Sequence, residues 1–160
     1  MTRPLPPYAV LLGLAGLLPF VLCSVGALAL PDDAAGLSLL ALTAYGATIL
    51  AFLGGVHWGF ALDGADVPTA RTQQLRFGLG VVPSLVGWLA LLVVFAGLPT
   101  AGLLVLVAGF VATTGIEAMA ARRGLMPRPY MRLRWALSAG VIVCLLSVGL
   151  VRAFGGRVIL

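Results

Sequence analysis

Long apolar runs separated by short polar segments make up most of this chain. The runs cover about residues 8–30, 36–61, 77–96, 100–120 and 134–153. A helix needs roughly 20 apolar residues to cross a bilayer, and each run is long enough. The pattern therefore predicts an all-α integral membrane bundle of five transmembrane helices, with residues 1–160 forming a single transmembrane domain.

Prolines, glycines and charges indicate where the predicted helices bend or end. Pro19 is predicted to bend the first helix, because proline removes a backbone donor and clashes with the preceding turn. The segment Gly97–Thr100 predicts a tight turn between the third and fourth helices. Glu117 is expected to close the fourth helix. Arg76 and Pro129 are expected in the connectors before the third and fifth helices.

The first apolar run has an alternative interpretation as a cleaved signal. Residues 27–29, Ala-Leu-Ala, resemble a signal-peptidase site, so residues 1–29 would be removed. The apolar core of a secretory signal is typically about 7–15 residues, and this run is longer. We therefore expect a retained transmembrane helix.

Composition also indicates that lipid surrounds most of the chain. Hydrophobic residues make up 61% of it and charged residues 9%, whereas soluble domains have about 25% charged residues. The net charge of +5 includes ten arginines and no lysine, and the arginines cluster at the ends of the apolar runs. There they are expected to contact lipid head groups. The predicted environment is the lipid bilayer, and nucleic-acid binding is not expected.

The arginines predict an orientation as well. Cytoplasmic loops of inner-membrane proteins carry an excess of basic residues. With five spans and a cytoplasmic N-terminus, eight arginines lie on the cytoplasmic side and two on the other. The eight are Arg3, Arg71, Arg76, Arg122, Arg123, Arg128, Arg132 and Arg134. We therefore predict a multi-pass protein of a bacterial inner (plasma) membrane with its N-terminus in the cytoplasm.

The second helix is predicted to be the centre of the bundle. Ala47, Ala51, Gly55 and Gly59 recur every four residues as a stripe of small residues, and Gly54 adds to a groove beside them. Helices in lipid associate through close backbone approach, which small residues permit. We therefore expect neighbouring helices to meet at this stripe and Gly55→Leu to disrupt their packing.

Five polar side chains are candidates for a cluster: His57, Glu117, Arg134, Tyr45 and Tyr130. Ionisable residues at membrane depth are costly unless paired, which makes them functional candidates. Three interpretations stay open. The cluster is a working site that binds an anionic group, relays a proton through the histidine or gates a small pore. Alternatively, it is a structural ion-pair lock, or it is interfacial and solvated by head groups.

Known motifs limit the chemistry. The sequence contains no HExxH, GxSxG or P-loop pattern and no GxGxxG after a strand. Its single histidine excludes a bis-histidine haem, and Cys23 and Cys144 lack CxxC spacing. We predict no catalytic residue, no metal site and no cofactor. A membrane enzyme or haem protein is the least favoured alternative.

Four segments resemble a known family. They are YGATILAFLGGVHWG at residues 45–59, Pro19-Phe20, Pro83-Ser84-Leu85 with Trp88, and YMRLR at residues 130–134. Through them most of the chain is similar to a small multi-pass membrane family of unknown function, found in bacteria and related to a mitochondrial transmembrane protein. The family pattern has aspartate where Glu117 stands and tryptophan where Pro129 stands. The resemblance implies an inner-membrane helical bundle and supplies no activity.

The predicted function is non-enzymatic. We expect a structural or accessory membrane component that contacts a membrane-protein partner or a second copy of itself. The alternative is a small transporter or proton-coupled channel that uses His57, Glu117 and Arg134. A water-accessible cavity reaching from His57 to Tyr45 would favour the channel, and a filled centre with an exposed small-residue face would favour the accessory role.

Overall fold

The computed structural model describes residues 6–62, 70–122 and 128–155. Helices form throughout this part of the chain: α1 (Pro7–Ala15), α2 (Leu18–Ala29), α3 (Asp32–Leu62), α4 (Ala70–Phe95), α5 (Pro99–Arg122) and α6 (Arg128–Ala153). Helices α1 and α2 together are long and apolar enough to cross a membrane, and α3, α4, α5 and α6 each are so alone. The prediction of an all-α bundle with five membrane-spanning helices is confirmed.

A break at Gly16 and Leu17 divides the first span into α1 and α2. Pro19 lies in the first turn of α2, where it cannot donate a hydrogen bond to the turn before it. The predicted bend therefore occurs just before the proline. The carbonyl of Gly16 accepts a hydrogen bond of 3.0 Å from the hydroxyl of Tyr45, which ties the break to α3.

The turn between α4 and α5 is a Schellman motif. Gly97 has a φ of 81°, a left-handed conformation that glycine adopts without strain. The N–H of Leu98 donates to the carbonyl of Val93 at 3.1 Å, and the N–H of Gly97 donates to the carbonyl of Val94 at 2.9 Å. These bonds satisfy carbonyls that the end of α4 leaves open. The turn predicted at this point is confirmed.

Three helix ends differ from the prediction. Helix α4 already begins at Ala70, so Arg76 is helical, and α5 continues past Glu117 to Arg122. Helix α6 begins at Arg128, with Pro129 in its first turn. The physical reason is that arginine, glutamate and glutamine favour helices and that proline is tolerated in a first turn. Polarity marks where a helix leaves the membrane but does not end the helix.

Helix α3 is the centre of the bundle, as predicted for the second span. It contacts α2, α4 and α5, and of the five spans it buries the largest share of its residues. The core around it is apolar and filled by Phe20, Leu42, Leu50, Leu106 and Phe110, all fully buried. The rings of Phe20 and Phe110 meet edge to face with centroids 6.2 Å apart.

Small residues also form the contact between α3 and α4. A Cβ added at Gly54 would collide with the carbonyl of Gly80, and one added at Gly87 would lie 2.9 Å from the Cα of Ala47. Ala47 and Gly54 on α3 therefore face Gly87 and Gly80 on α4 in antiparallel order. This close approach is the kind of packing that holds helices together in lipid.

The rest of the predicted small-residue stripe points elsewhere. Gly55 and Gly59 are exposed, and nothing in the described chain lies within 4 Å of a Cβ built at either. Within a single copy of the chain, the prediction that both pack against neighbouring helices is wrong. Ala51, the remaining member of the stripe, is half-buried. Residues four apart advance about 40° around a helix at each step, whereas residues seven apart stay within about 20°. Ala47 and Gly54, seven residues apart, therefore both contact α4, whereas Gly55 and Gly59 point away from it.

Candidate functional site

His57, Glu117 and Arg134 lie together in the interior of the bundle, and we call them the triad. Helix α3 supplies the histidine, α5 the glutamate and α6 the arginine. Their exposed fractions are 4%, 0% and 5%. The structure thus places three of the predicted cluster residues side by side. An interfacial arrangement does not fit side chains that are this deeply enclosed.

Glu117 is the centre of the triad. Arg134 Nε donates a hydrogen bond of 2.6 Å to Glu117 Oε2. His57 Nε2 lies 3.8 Å from Glu117 Oε1, which is longer than a hydrogen bond. In the described part of the chain, Glu117 Oε1 and Arg134 Nη2 are buried without a hydrogen-bond partner. The triad therefore contains one strong charge-assisted bond and two polar atoms that are still available.

A second polar contact joins α5 and α6 one turn further along. Thr114 Oγ1 and Ser138 Oγ are 2.9 Å apart and buried. Thr114 shares a helix face with Glu117, and Ser138 shares one with Arg134, because residues three or four apart lie on the same side of a helix. The two contacts fix α5 and α6 in antiparallel register. Sequence reasoning missed Ser138, although its four-residue spacing from Arg134 indicates a shared face.

The two tyrosines of the predicted cluster lie in different places. Tyr130, half-buried one turn before Arg134, is close enough to Glu117 and Arg134 to interact with their charges. Tyr45 lies away from the triad along α3, where its ring meets Phe20 edge to face with centroids 4.9 Å apart. The structure therefore brings Tyr130 to the triad and assigns Tyr45 to the break in the first span.

Two cavities flank the triad. His57 lines one of about 50 Å³ between α3, α4 and α5, together with Pro83 and Thr113. Arg134 lines the other, of about 150 Å³, which also touches α1, α2, α3 and α5. Neither of these two cavities has both His57 and Tyr45 in its wall.

The triad is suited to locking helices and to short-range proton exchange. Removal of a carboxylate and a guanidinium from water costs several kcal/mol for each ion, so each is tolerated only beside the other. A shift of about 0.8 Å, or one bridging water, would place His57 within hydrogen-bond reach of Glu117. The triad presents one basic ring, one carboxylate and one guanidinium, and Arg76 on α4 is close enough to His57 to act on it through its charge.

Relatives of the chain are named as transmembrane proteins. Transmembrane protein 69 of Xenopus tropicalis is 44% identical over 91 residues, which cover 54% of this chain and 33% of that protein. Transmembrane protein 69 of Mus musculus is 36% identical over 89 residues, which cover 54% of this chain and 34% of that protein. The chain thus spans about a third of the length of these relatives. No solved structure matches it.

A protein-family comparison covers nearly the whole chain. The match runs over residues 5–150 and includes the triad, the break at Gly16 and all five spans in large part. It confirms the family resemblance inferred from the GGVHWG segment. The chain belongs to the family described as "Protein of unknown function (DUF3429)".

Proposed function

We propose that this protein is a non-enzymatic accessory component of a bacterial inner membrane that works by binding another transmembrane helix, with a second copy of the chain as its partner. The observation that carries the proposal is the open glycine face of α3. Gly55 and Gly59 have the GxxxG spacing, and a Cβ at either would meet nothing within 4 Å. Such a pair allows the backbone of another helix to approach closely.

The same face continues along α3 with small side chains. Thr48 and Ala41 precede Gly55 by one and two heptads, and both are exposed. Residues seven apart stay within about 20° on a helix, so the three positions form one line. We call Ala41, Thr48, Gly55 and Gly59 the small-residue face.

Symmetry favours a second copy as the partner. A two-fold axis along the membrane normal places identical residues of two copies at the same depth, and the contact is then self-complementary. The GxxxG pair of one copy would meet that of the other without any change of register. No second protein with a matching face is required.

The filled centre of the bundle supports an accessory role over a channel. Leu50, Leu106 and Phe110 are fully buried along the bundle between the levels of His57 and Tyr45. In the proposed role, Glu117 and Arg134 lock α5 to α6. Their pairing keeps the bundle rigid while α3 presents its free face.

The arginine distribution supports the proposed orientation and membrane. Arg76, Arg122 and Arg132 belong to the helix ends on the proposed cytoplasmic side, whereas Asp32 and Asp33 begin α3 on the opposite side. Basic residues are enriched on the cytoplasmic side of inner-membrane proteins. Both features fit a cytoplasmic N-terminus.

Energy transfer between labelled copies in liposomes tests the proposal. We expect the wild-type protein to associate and Gly55→Leu to reduce association at least about tenfold, the effect of about 1.4 kcal/mol of lost contact. Gly115→Leu on α5 is the control, because a Cβ there also meets nothing within 4 Å. A monomeric wild type, or equal association of all three proteins, would overturn the proposal. Proton flux that depends on His57, measured with His57→Ala, would favour the channel instead.

A further inference from the structure

We propose that the cavity at Arg134 binds the ring of a quinone, a neutral lipophilic carbonyl compound that enters from the bilayer. The proposal does not depend on self-association through α3. The cavity has a volume of about 150 Å³, with Arg134 and Ser138 as its polar wall. It thus combines an apolar space that is open on one side with a polar wall.

The apolar walls set the size and shape of the ligand. Three aromatic rings, Phe20, Phe52 and Phe110, line the cavity from different helices. Gly13 and Gly16 keep its α1 side open, and a Cβ at Gly13 would lie 3.0 Å from a methyl of Leu137. An apolar cavity of about 150 Å³ accepts one benzene-sized molecule. Aromatic walls favour a flat ring through offset or edge-to-face contacts.

The polar end sets the chemistry of the head group. Arg134 is 5% exposed, and its Nη2 is buried without a hydrogen-bond partner in the described chain. Nη2 has almost no accessible surface of its own, so a small rotation of the Arg134 guanidinium, which lines the cavity, is needed to present it to a ligand. A buried donor that lacks a partner is costly, so a ligand oxygen that accepts its hydrogen gains that interaction. The carbonyl of a quinone is such an acceptor on a ring of the required size.

Charge favours a neutral ligand over an anion. Glu117 Oε2 already lies 2.6 Å from Arg134 Nε, so the guanidinium has its counter-ion. A carboxylate or phosphate in the cavity would add a second negative charge beside a fully buried glutamate. Like charges in such an environment repel strongly. A carbonyl accepts the hydrogen bond without bringing that charge.

The route of entry lies between α1 and α3. Leu12 and Phe52 line the cavity and are 69% and 67% exposed, so their outer sides face the lipid. A ligand with an apolar tail can place its ring inside and leave the tail in the bilayer. The binding site is therefore expected to take its ligand from the membrane phase.

Thermal unfolding of the full chain in detergent, with 2-decyl-1,4-benzoquinone as the probe, tests the proposal. A ligand that binds only the folded state raises the midpoint in a saturable way. We expect such a rise for the wild type and at least about tenfold weaker binding for Ile49→Phe, which fills the cavity and leaves the triad intact. Arg134→Lys should weaken binding similarly, because lysine keeps a charge for Glu117 but lacks Nη2. Val111→Phe, exposed on α5 and outside the cavity wall, is the control.

Two further probes separate the possible ligands. Methyl decanoate offers a carbonyl without a ring, and decanoate offers a carboxylate on the same tail. Weaker binding of both than of the quinone supports the proposal. Equal or tighter binding of the ester would assign the cavity to lipid esters, and tighter binding of decanoate would refute the charge argument. A midpoint shift that Ile49→Phe leaves unchanged would show that the quinone only partitions into detergent.

Discussion

Arg134 Nε donates to Glu117 Oε2 at 2.6 Å, and this bond joins α6 to α5 within the apolar part of the bundle. Both side chains are almost fully enclosed. Charges this enclosed are poorly solvated, so the two helices pack most favourably where the pair forms. The pair therefore sets the register that Thr114 and Ser138 continue one turn away.

The first prediction concerns this ion pair. Arg134→Met should destabilise the bundle by about 3–5 kcal/mol, because it leaves the Glu117 carboxylate buried without a counter-ion. The double variant Glu117→Leu with Arg134→Met should be less destabilised than Arg134→Met alone, since no charge is left behind. Thermal unfolding of each protein in the same detergent measures the effect. Losses that simply add in the double variant would contradict the assigned coupling.

The second prediction compares two neighbouring glycines. Gly54→Leu should strongly reduce the yield of folded protein, because the new side chain collides with the Gly80 carbonyl. Gly55→Leu should leave the yield close to that of the wild type, because nothing lies within 4 Å of its Cβ. Overpacking of this kind typically costs about 1–3 kcal/mol or more. Size-exclusion chromatography of the solubilised proteins gives both yields, and equal yields would refute the assigned faces.

The third prediction tests the hydrogen bond between α3 and the break in the first span. Tyr45→Phe should destabilise the protein by about 1 kcal/mol, because the Gly16 carbonyl loses its 3.0 Å bond while the ring contacts remain. Unfolding in a denaturing detergent measures the difference. Tyr8→Phe is the matched control, since Tyr8 is largely exposed. A loss of similar size in the control would mean that the bond contributes nothing specific.

The fourth prediction tests orientation. In a background with Cys23→Ala and Cys144→Ala, Asp33→Cys should react in intact cells with a thiol reagent that does not cross the inner membrane. Arg122→Cys, at the opposite end of the helices, should react only after the membrane is permeabilised. The expectation follows from the excess of basic residues on the cytoplasmic side. The reverse labelling pattern would place the N-terminus outside.

The number of spans and most of their breaks could be predicted from local pattern. A helix in lipid satisfies its backbone hydrogen bonds within itself, so a sufficient apolar run is almost enough to specify a span. Gly97 and Pro19 act through their own backbone geometry, which is why both positions were predictable. The extensions of α4 and α6 were missed because a helix can continue through basic residues beyond its apolar part.

The choice of partners depended on the tertiary structure. Arg132 and Arg134 are two residues apart and so lie about 200° apart around α6. Arg132 is exposed, whereas Arg134 is buried against Glu117. Their positions in the sequence do not indicate which of the two faces the interior. Gly54 and Gly55 differ in the same way, one packed against α4 and the other open.

The amino-acid sequence by itself determined that lipid surrounds this chain, how many times it crosses and which few polar residues lie at membrane depth. Only the tertiary structure decided that His57, Glu117 and Arg134 meet and that Arg134 lines a cavity. The reason is physical. Crossing a bilayer depends on the summed hydrophobicity of one segment, whereas contact between helices depends on the rotation of each about its axis, which packing alone fixes.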